Sequence, residues 1–151
     1  MQSKSLADTQ KLAGDFLNNL TLQLRSGQAT VVGLFGDLGS GKTTFTQSVA
    51  KILGVSENVT SPTFVIEKVY QLKTGKDGPC QWNKLIHIDC YRLENSQEME
   101  KLGWGELVAD FGNLILVEWP EKIADILPSG MIKINFEFID EKTREINLSA
   151  V

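Results

Sequence analysis

Gly36-Asp37-Leu38-Gly39-Ser40-Gly41-Lys42-Thr43 decides the fold of this 151-residue chain, because it matches the whole Walker A pattern. The apolar run Val31–Phe35 precedes it, and a helix-like run, residues 44–53, follows. Strand, glycine-rich loop and helix in this order predict a phosphate site, since the glycines let backbone N–H groups converge on one spot at the positive end of the helix. In this pattern Lys42 reaches the β- and γ-phosphates, and the Thr43 hydroxyl ligates Mg²⁺.

The size and composition of the chain fit one globular domain, which we predict to span residues 1–151. No apolar run approaches the length of a membrane span, and Met1–Ser5 lack the apolar core of a signal peptide, so we expect a cytoplasmic protein that contacts no membrane. The net charge of −4 argues against strong stand-alone binding to nucleic acid. Cys80 and Cys90 lack metal-ligand spacing, so we expect both to be reduced and structural.

The order of apolar patterns along the chain predicts an α/β protein. Helical periodicity indicates a first helix over residues 12–24, preceded by the capping sequence Ser5–Asp8, then helix 44–53 and a helix over 98–110 that is broken near Gly103 and Gly105. The predicted strands are 29–35, 64–72, 85–89, 114–117, 132–138 and a last strand around 146–148. We predict a P-loop NTPase-like three-layer sandwich, with a mostly parallel central sheet and antiparallel edge strands formed by hairpins.

Two acidic residues end strand-like apolar runs, where α/β sheets carry their ligands. Glu118 follows residues 114–117, as a Walker B acid does, and a carboxylate there can reach Mg²⁺. Asp89 follows residues 85–88 and is a candidate for the metal shell or for positioning water. The alternative for both is a solvated loop acid.

Four further features keep two interpretations each. The hydroxyls of Thr60-Ser61-Pro62-Thr63 could close over a γ-phosphate, although Ser-Pro is also an ordinary turn. His87 is a catalytic base or a structural histidine inside a strand. Arg92 is an arginine finger or a surface ion pair, and Trp119 is a wall of the site or part of the core.

The chain lacks the motifs that accompany the loop in two common classes of nucleotide-binding protein. Asp89-Cys90-Tyr91-Arg92 has no glycine for an Asp-x-x-Gly motif, and Asn83-Lys84-Leu85-Ile86 has no aspartate for an Asn-Lys-x-Asp guanine reader, so ATP is the expected nucleotide. A small-molecule kinase would carry an arginine-rich lid, whereas the arginines here are scattered at positions 25, 92 and 144. A kinase stays as the alternative to an ATPase, and a nucleotide-sensing module without catalysis is a third hypothesis.

Four segments in this order resemble one family, the TsaE (YjeE) ATPases of bacterial tRNA threonylcarbamoyladenosine biosynthesis. The resemblance extends over essentially the whole chain, including the pair Asp8-Thr9 in the first helix. The segments are Gly36–Phe45, Thr60-Ser61-Pro62-Thr63-Phe64, His87-Ile88-Asp89-Cys90-Tyr91-Arg92-Leu93 and Glu118-Trp119-Pro120-Glu121.

The resemblance implies an ATPase with ATP and Mg²⁺ as cofactors. Because an arginine clamp is missing from the sequence pattern, we expect its hydrolysis to be slow without partners. Its implied partners are TsaD and TsaB, which transfer the threonylcarbamoyl group to the adenosine beside the anticodon. The chain would then meet tRNA only indirectly, through the complex, and its hydrolysis would support turnover of that complex.

The resemblance also assigns residues. Thr63 matches a switch threonine near the γ-phosphate, Thr9 a position near the base, and Trp119 a tryptophan beside the site. The expected catalytic residues are Lys42, Thr63, Asp89 and Glu118, and the expected metal ligands are Thr43, Asp89 and Glu118. The expected nucleotide-binding residues are Thr9, Gly36, Asp37, Leu38, Gly39, Ser40, Gly41, Lys42, Thr43, Thr44 and Trp119. Ser40 stands where alanine is common, and the insert Thr74–Gln81 looks long.

Overall fold

A computed structural model describes residues 1–22, 27–73 and 81–149 of the chain. The strands are β1 (Gln2–Ser3), β2 (Thr30–Phe35), β3 (Glu67–Gln71), β4 (Lys84–Asp89), β5 (Asn113–Glu118), β6 (Ile132–Phe138) and β7 (Arg144–Ser149). The helices are α1 (Leu6–Leu22), α2 (Lys42–Ile52), α3 (Ser96–Lys101) and α4 (Trp104–Ala109), with a 3₁₀ helix at Pro120–Ile123. Among these residues, no helix is long and apolar enough to cross a membrane.

The seven strands form one mixed sheet in the order β1-β7-β6-β2-β5-β4-β3. The four central strands, β6, β2, β5 and β4, run parallel to one another. Strand β3 pairs antiparallel with β4 at one edge, and β7 and β1 continue antiparallel at the other. An α/β fold with a mostly parallel centre and antiparallel edges, as the sequence predicts, is therefore confirmed.

Helices cover both faces of the sheet, and the alternation of side chains along β5 explains why. Leu114 and Leu116 face a core shared with α1 and α2, while Ile115 and Val117 face a second core shared with α3, α4 and the 3₁₀ helix. All six residues of β5 are buried, as expected for a strand covered on both faces. Aromatic rings pack together in the first core. The ring centroid of Phe45 in α2 lies 5.7 Å from that of Phe16 in α1 and 5.5 Å from that of Phe136 in β6.

The strand register places three chain segments at one edge of the sheet. Glu118, the last residue of β5, pairs with Asp89 at the end of β4 and with Leu34 near the end of β2. The glycine-rich loop begins directly after β2, at Gly36. Because these strands are parallel, their carboxyl ends bring the loop and both acidic residues together.

Several predicted bounds differ from the structure. The predicted strand 64–72 is wrong in its first part, because residues 64–66 form a turn in which the N–H groups of Val65 and Ile66 donate to the Pro62 carbonyl and Ile66 has a φ of 66°. The predicted helix 98–110 is divided at Gly103, with a φ of 90°, whereas Gly105 lies inside α4.

Some predictions lie outside the described residues, and one strand was not predicted. Leu24, Cys80 and nearly all of the insert 74–81 are outside, whereas Cys90 is a buried free thiol. Burial raises the pKa of the Cys90 thiol to about 12, and Asp89 and Glu121 act in the same direction. Strand β1 has two residues, which is too short for a periodic pattern to reveal.

Substitution of two loop glycines by alanine tests how the loop is held against the sheet. A Cβ at Gly36 would collide with the Phe136 carbonyl oxygen at a φ of 138°, whereas a Cβ at Gly39, with a φ of 77°, meets nothing within 4 Å. We expect Gly36→Ala to lower the free energy of unfolding by about 3 kcal/mol and Gly39→Ala to lower it by about 1 kcal/mol. Urea unfolding without nucleotide measures both, and equal costs would contradict the close approach of the loop to β6.

Candidate functional site

The glycine-rich loop joins the buried strand β2 to helix α2. Gly36, Gly39 and Gly41 all have positive φ, a conformation that side-chain-bearing residues rarely adopt. Helix α2 begins directly after Gly41, so its unpaired N–H groups and the positive end of its dipole face the loop. This backbone arrangement suits an anion such as a phosphate.

The side chain of Lys42, the first residue of α2, reaches back into the loop. Its ammonium group donates to the carbonyl oxygens of Gly36, at 2.6 Å, and Asp37, at 2.9 Å. Burial lowers the pKa of Lys42, while the negative charges of Glu118, Glu121, Asp89 and Asp37 partly oppose that shift. The two contacts are with neutral carbonyls, so the positive charge remains available to an anion held by the loop.

Glu118 and Thr43, two of the predicted metal ligands, are in direct contact. The Thr43 hydroxyl donates to Glu118 Oε1 at 2.9 Å, although 75 residues separate the two in the chain. The same carboxylate oxygen lies 2.8 Å from His87 Nε2. Glu118 is buried, with 3% of its surface exposed, so these contacts compensate for its lost hydration.

Asp89, the third predicted ligand, binds the Thr60–Phe64 segment. Its Oδ2 accepts hydrogen bonds from the hydroxyls of Thr63 and Ser61, the latter at 3.0 Å. Its Oδ1 accepts the Tyr91 N–H at 2.9 Å. The predicted residues Thr63 and Asp89 therefore lie together, and Ser61 belongs to the same network.

Trp119 lies beside Lys42 and is one of only two non-glycine residues with positive φ in the described part of the chain. The ring centroid is 4.3 Å from the Lys42 ammonium nitrogen and 5.1 Å from the Tyr91 ring. A cation this close to an aromatic face is attracted to it. Trp119 also packs against the second core, so its position agrees both with a wall of the site and with part of the core.

A cavity of about 340 Å³ lies on the other side of the loop. Thr9 of α1 lines it together with Gly39, Ser40, Gly41 and Thr44. The Thr9 hydroxyl is 2.7 Å from the Ser3 hydroxyl of β1, which fixes it at this position. Thr9 is thus next to the loop but on the opposite side from Glu118 and Asp89.

Arg144 also lines this cavity, and sequence reasoning did not select it as a site residue. Its Nε donates to the Gly39 carbonyl at 3.2 Å, and its guanidinium lies 4.4 Å from the Phe138 ring centroid. The residue is on β7, 105 positions after Gly39, and only the sheet topology brings the two together. Arg92, by contrast, lies 4.2 Å from the ring centroid of Phe64, in the segment that Asp89 holds.

The donor set at the loop suits a cation that shares its ligands with a phosphate. The described residues contain no group of three or more histidine, cysteine, aspartate or glutamate side chains that could hold a metal ion by themselves. The Thr43 hydroxyl and the Glu118 carboxylate offer oxygen ligands instead. Mg²⁺ is usually bound in this way, by one or two carboxylates, substrate phosphates and water.

Comparison with known proteins identifies the family. A family model described as "Threonylcarbamoyl adenosine biosynthesis protein TsaE" matches residues 3–146. The chain belongs to the TsaE family. It is 36% identical to the tRNA threonylcarbamoyladenosine biosynthesis protein TsaE of Haemophilus influenzae over 134 residues, which are 87% of this chain and 77% of that protein.

A sequence and a crystal structure from Bacillus subtilis extend the comparison. The TsaE protein of that organism is 41% identical over 121 residues, covering 80% of this chain and 70% of its own length. The crystal structure of Bacillus subtilis YdiB superposes with a TM-score of 0.73 at 30% identity, covering 100% of this chain and 84% of that one. The TsaE resemblance inferred from the four motifs is thus confirmed.

Ser40 lies inside the glycine-rich loop. It is fully buried, and its hydroxyl has no hydrogen-bond partner among the described residues. A buried hydroxyl without a partner destabilises the fold by about 1 kcal/mol or more relative to an apolar group of similar size. Substitution of Ser40 by alanine would remove that cost.

Proposed function

We propose that this chain is a P-loop NTPase-like ATPase domain over residues 1–151 that binds ATP with Mg²⁺ and serves tRNA threonylcarbamoyladenosine biosynthesis. One observation carries the proposal: the 2.9 Å contact between the Thr43 hydroxyl and the buried Glu118 carboxylate, at the start of the helix that follows the loop. A glycine-rich turn with no ligand would have no need of a buried acid against its last hydroxyl, because burying a charge is costly.

The residues of the loop would bind and orient the triphosphate. Backbone N–H groups between Gly36 and Thr44 and the Lys42 ammonium would hold the phosphate oxygens. Thr43 and Glu118 would hold Mg²⁺, which neutralises charge on the β- and γ-phosphates when bound. Trp119 lies over Lys42 and would keep water away from the ammonium, which strengthens its attraction to phosphate.

Asp89 and Thr63 are the proposed groups on the γ-phosphate side. Both lie in the hydrogen-bond network at the end of β4, next to the strand that ends in Glu118. An acid with one oxygen accepting from a backbone N–H is held in a fixed orientation, as a group that positions water must be. Asp89 is therefore the candidate for orienting the attacking water, directly or through Thr63, and a further candidate for the metal shell.

The proposed partners follow from the family and from the charge of the chain. The curated relatives are named for tRNA threonylcarbamoyladenosine biosynthesis. This chain carries a net charge of −4, whereas a protein that holds tRNA alone needs a basic surface. We propose that TsaD and TsaB hold the tRNA and that this chain acts on them through ATP hydrolysis.

Two substitutions test the site. Lys42→Ala should weaken ATP binding by about 10- to 100-fold, because a charge-assisted contact is lost, and should abolish hydrolysis.

Glu118→Ala should leave nucleotide binding in EDTA nearly unchanged but remove most of the hydrolysis seen with Mg²⁺. Calorimetry and a phosphate-release assay measure the two effects.

Exposed residues of the same charge provide the controls. Lys51→Ala, near the end of α2, and Glu100→Ala, in α3, should behave like the parent chain. Retained turnover in Lys42→Ala would contradict the phosphate loop. A phosphorylated metabolite in place of free phosphate would favour the small-molecule kinase instead.

The proposed pathway role has its own test. We expect a pull-down with TsaD and TsaB to retain this chain, more strongly with ATP than without, and we expect the partners to raise its slow ATP turnover. The isolated chain should bind tRNA weakly or not at all in a filter assay at physiological salt. Tight tRNA binding by the isolated chain, or turnover that the partners leave unchanged, would contradict this role.

A further inference from the structure

We propose that His87 is a positioning residue that fixes the Glu118 carboxylate through a hydrogen bond donated by its Nε2–H. The inference rests on the proposed function only in assigning Glu118 to Mg²⁺. His87 does not touch the loop in any contact described above, and neither the family description nor the proposed mechanism gives it a role.

His87 is a polar ring at a buried position of the sheet, where an apolar side chain is usual. His87 is fully buried in β4, where it lies on the same face as Leu85 and Asp89. Its neighbour across the ladder is Leu116 of β5, two residues before Glu118. A buried polar side chain among leucines destabilises the fold unless it is hydrogen-bonded. The hydrogen-bond partner of the ring therefore explains why a histidine is found at this position.

That partner is a single carboxylate oxygen. His87 Nε2 lies 2.8 Å from Glu118 Oε1, which also accepts the Thr43 hydroxyl at 2.9 Å. A carboxylate can only accept, so Nε2 must carry the proton in this contact. His87 Nδ1 is buried and has no hydrogen-bond partner among the described residues.

The consequence concerns the orientation of Glu118. The Thr43 hydroxyl holds the carboxylate from the side of α2, and His87 holds it from the side of β4. When the Thr43 oxygen serves a cation, the bond from His87 is the one that still fixes Oε1. Partners of this kind, which orient a metal-binding carboxylate, typically change metal affinity by about 10- to 100-fold when they are removed.

The first experiment observes the tautomer directly. The chain contains a single histidine, so ¹⁵N-histidine labelling gives one pair of imidazole nitrogen signals. We expect Nε2 to carry a proton in the parent chain without ligands, and we expect the Nε2 signal to move in Glu118→Ala. An Nε2 without a proton, or an Nε2 signal that Glu118→Ala leaves unchanged, would overturn the proposal.

The second experiment separates positioning from packing. His87→Gln keeps an N–H donor at about the same reach as Nε2, whereas His87→Phe keeps a ring without a donor. The measurement is the affinity for ADP with Mg²⁺ and with EDTA. In the parent chain, Mg²⁺ should raise the affinity for ADP. We expect this increase to be about tenfold smaller in His87→Phe, with the affinity in EDTA unchanged, and to be mostly retained in His87→Gln.

Different results point to different failures. If His87→Phe keeps the full Mg²⁺ gain, His87 does not position Glu118 for the metal. If the parent chain itself shows no Mg²⁺ gain, the proposed metal role of Glu118 fails, and the tautomer experiment still decides whether His87 and Glu118 are bonded. Thermal unfolding of each variant checks that it folds, and the tautomer experiment on the parent chain needs no variant that might unfold.

Discussion

The hydrogen bond between the Thr43 hydroxyl and the Glu118 carboxylate joins the glycine-rich loop to the central sheet, and the rest of the site is arranged around it. Thr43 is at the start of α2, and Glu118 ends the most deeply buried strand. The contact requires that β2, β5 and β4 keep their register, because a shift of one residue would turn Glu118 toward the opposite face of the sheet. The packing of Phe16, Phe45 and Phe136, which holds α2 against that face, therefore also positions the chemistry.

Burying the two carboxylates of Asp89 and Glu118 costs free energy, and this cost explains the hydrogen-bond donors around them. Asp89 and Glu118 are each 3% exposed, and each carboxylate accepts hydrogen bonds from hydroxyl groups. Without such donors, two buried carboxylates at neighbouring strand ends would destabilise the fold. The same hydroxyl oxygens can serve as metal ligands or contact a phosphate, so in our proposal the groups that stabilise the acids before a nucleotide binds become its ligands afterwards. The Lys42 charge, held nearby on neutral carbonyls, contributes to that balance.

Local patterns in the sequence predicted the parts of the protein that short-range rules determine. The order of strands and helices, the loop between β2 and α2, and the placement of Glu118 and Asp89 at strand ends follow from apolar periodicity and motif spacing. The predicted start of β3 was wrong, although residues 64–66 have high β-propensity. Two N–H groups of this segment donate to the Pro62 carbonyl and form a turn, so they do not pair with a strand. Arg144 was not selected, since an arginine 105 residues away from the loop carries no local signal.

The central claim is that the loop from Gly36 to Thr43, with Glu118 beneath it, forms the nucleotide site, and one measurement tests it most directly. That measurement is a backbone amide NMR titration of the parent chain with a non-hydrolysable ATP analogue and Mg²⁺. The account predicts that the largest shifts occur at residues 36–44, with further shifts at Thr9 and Trp119, and that chelating the Mg²⁺ reverses the shift at Glu118. Saturable shifts confined to another surface, or no shifts at millimolar analogue, would contradict it.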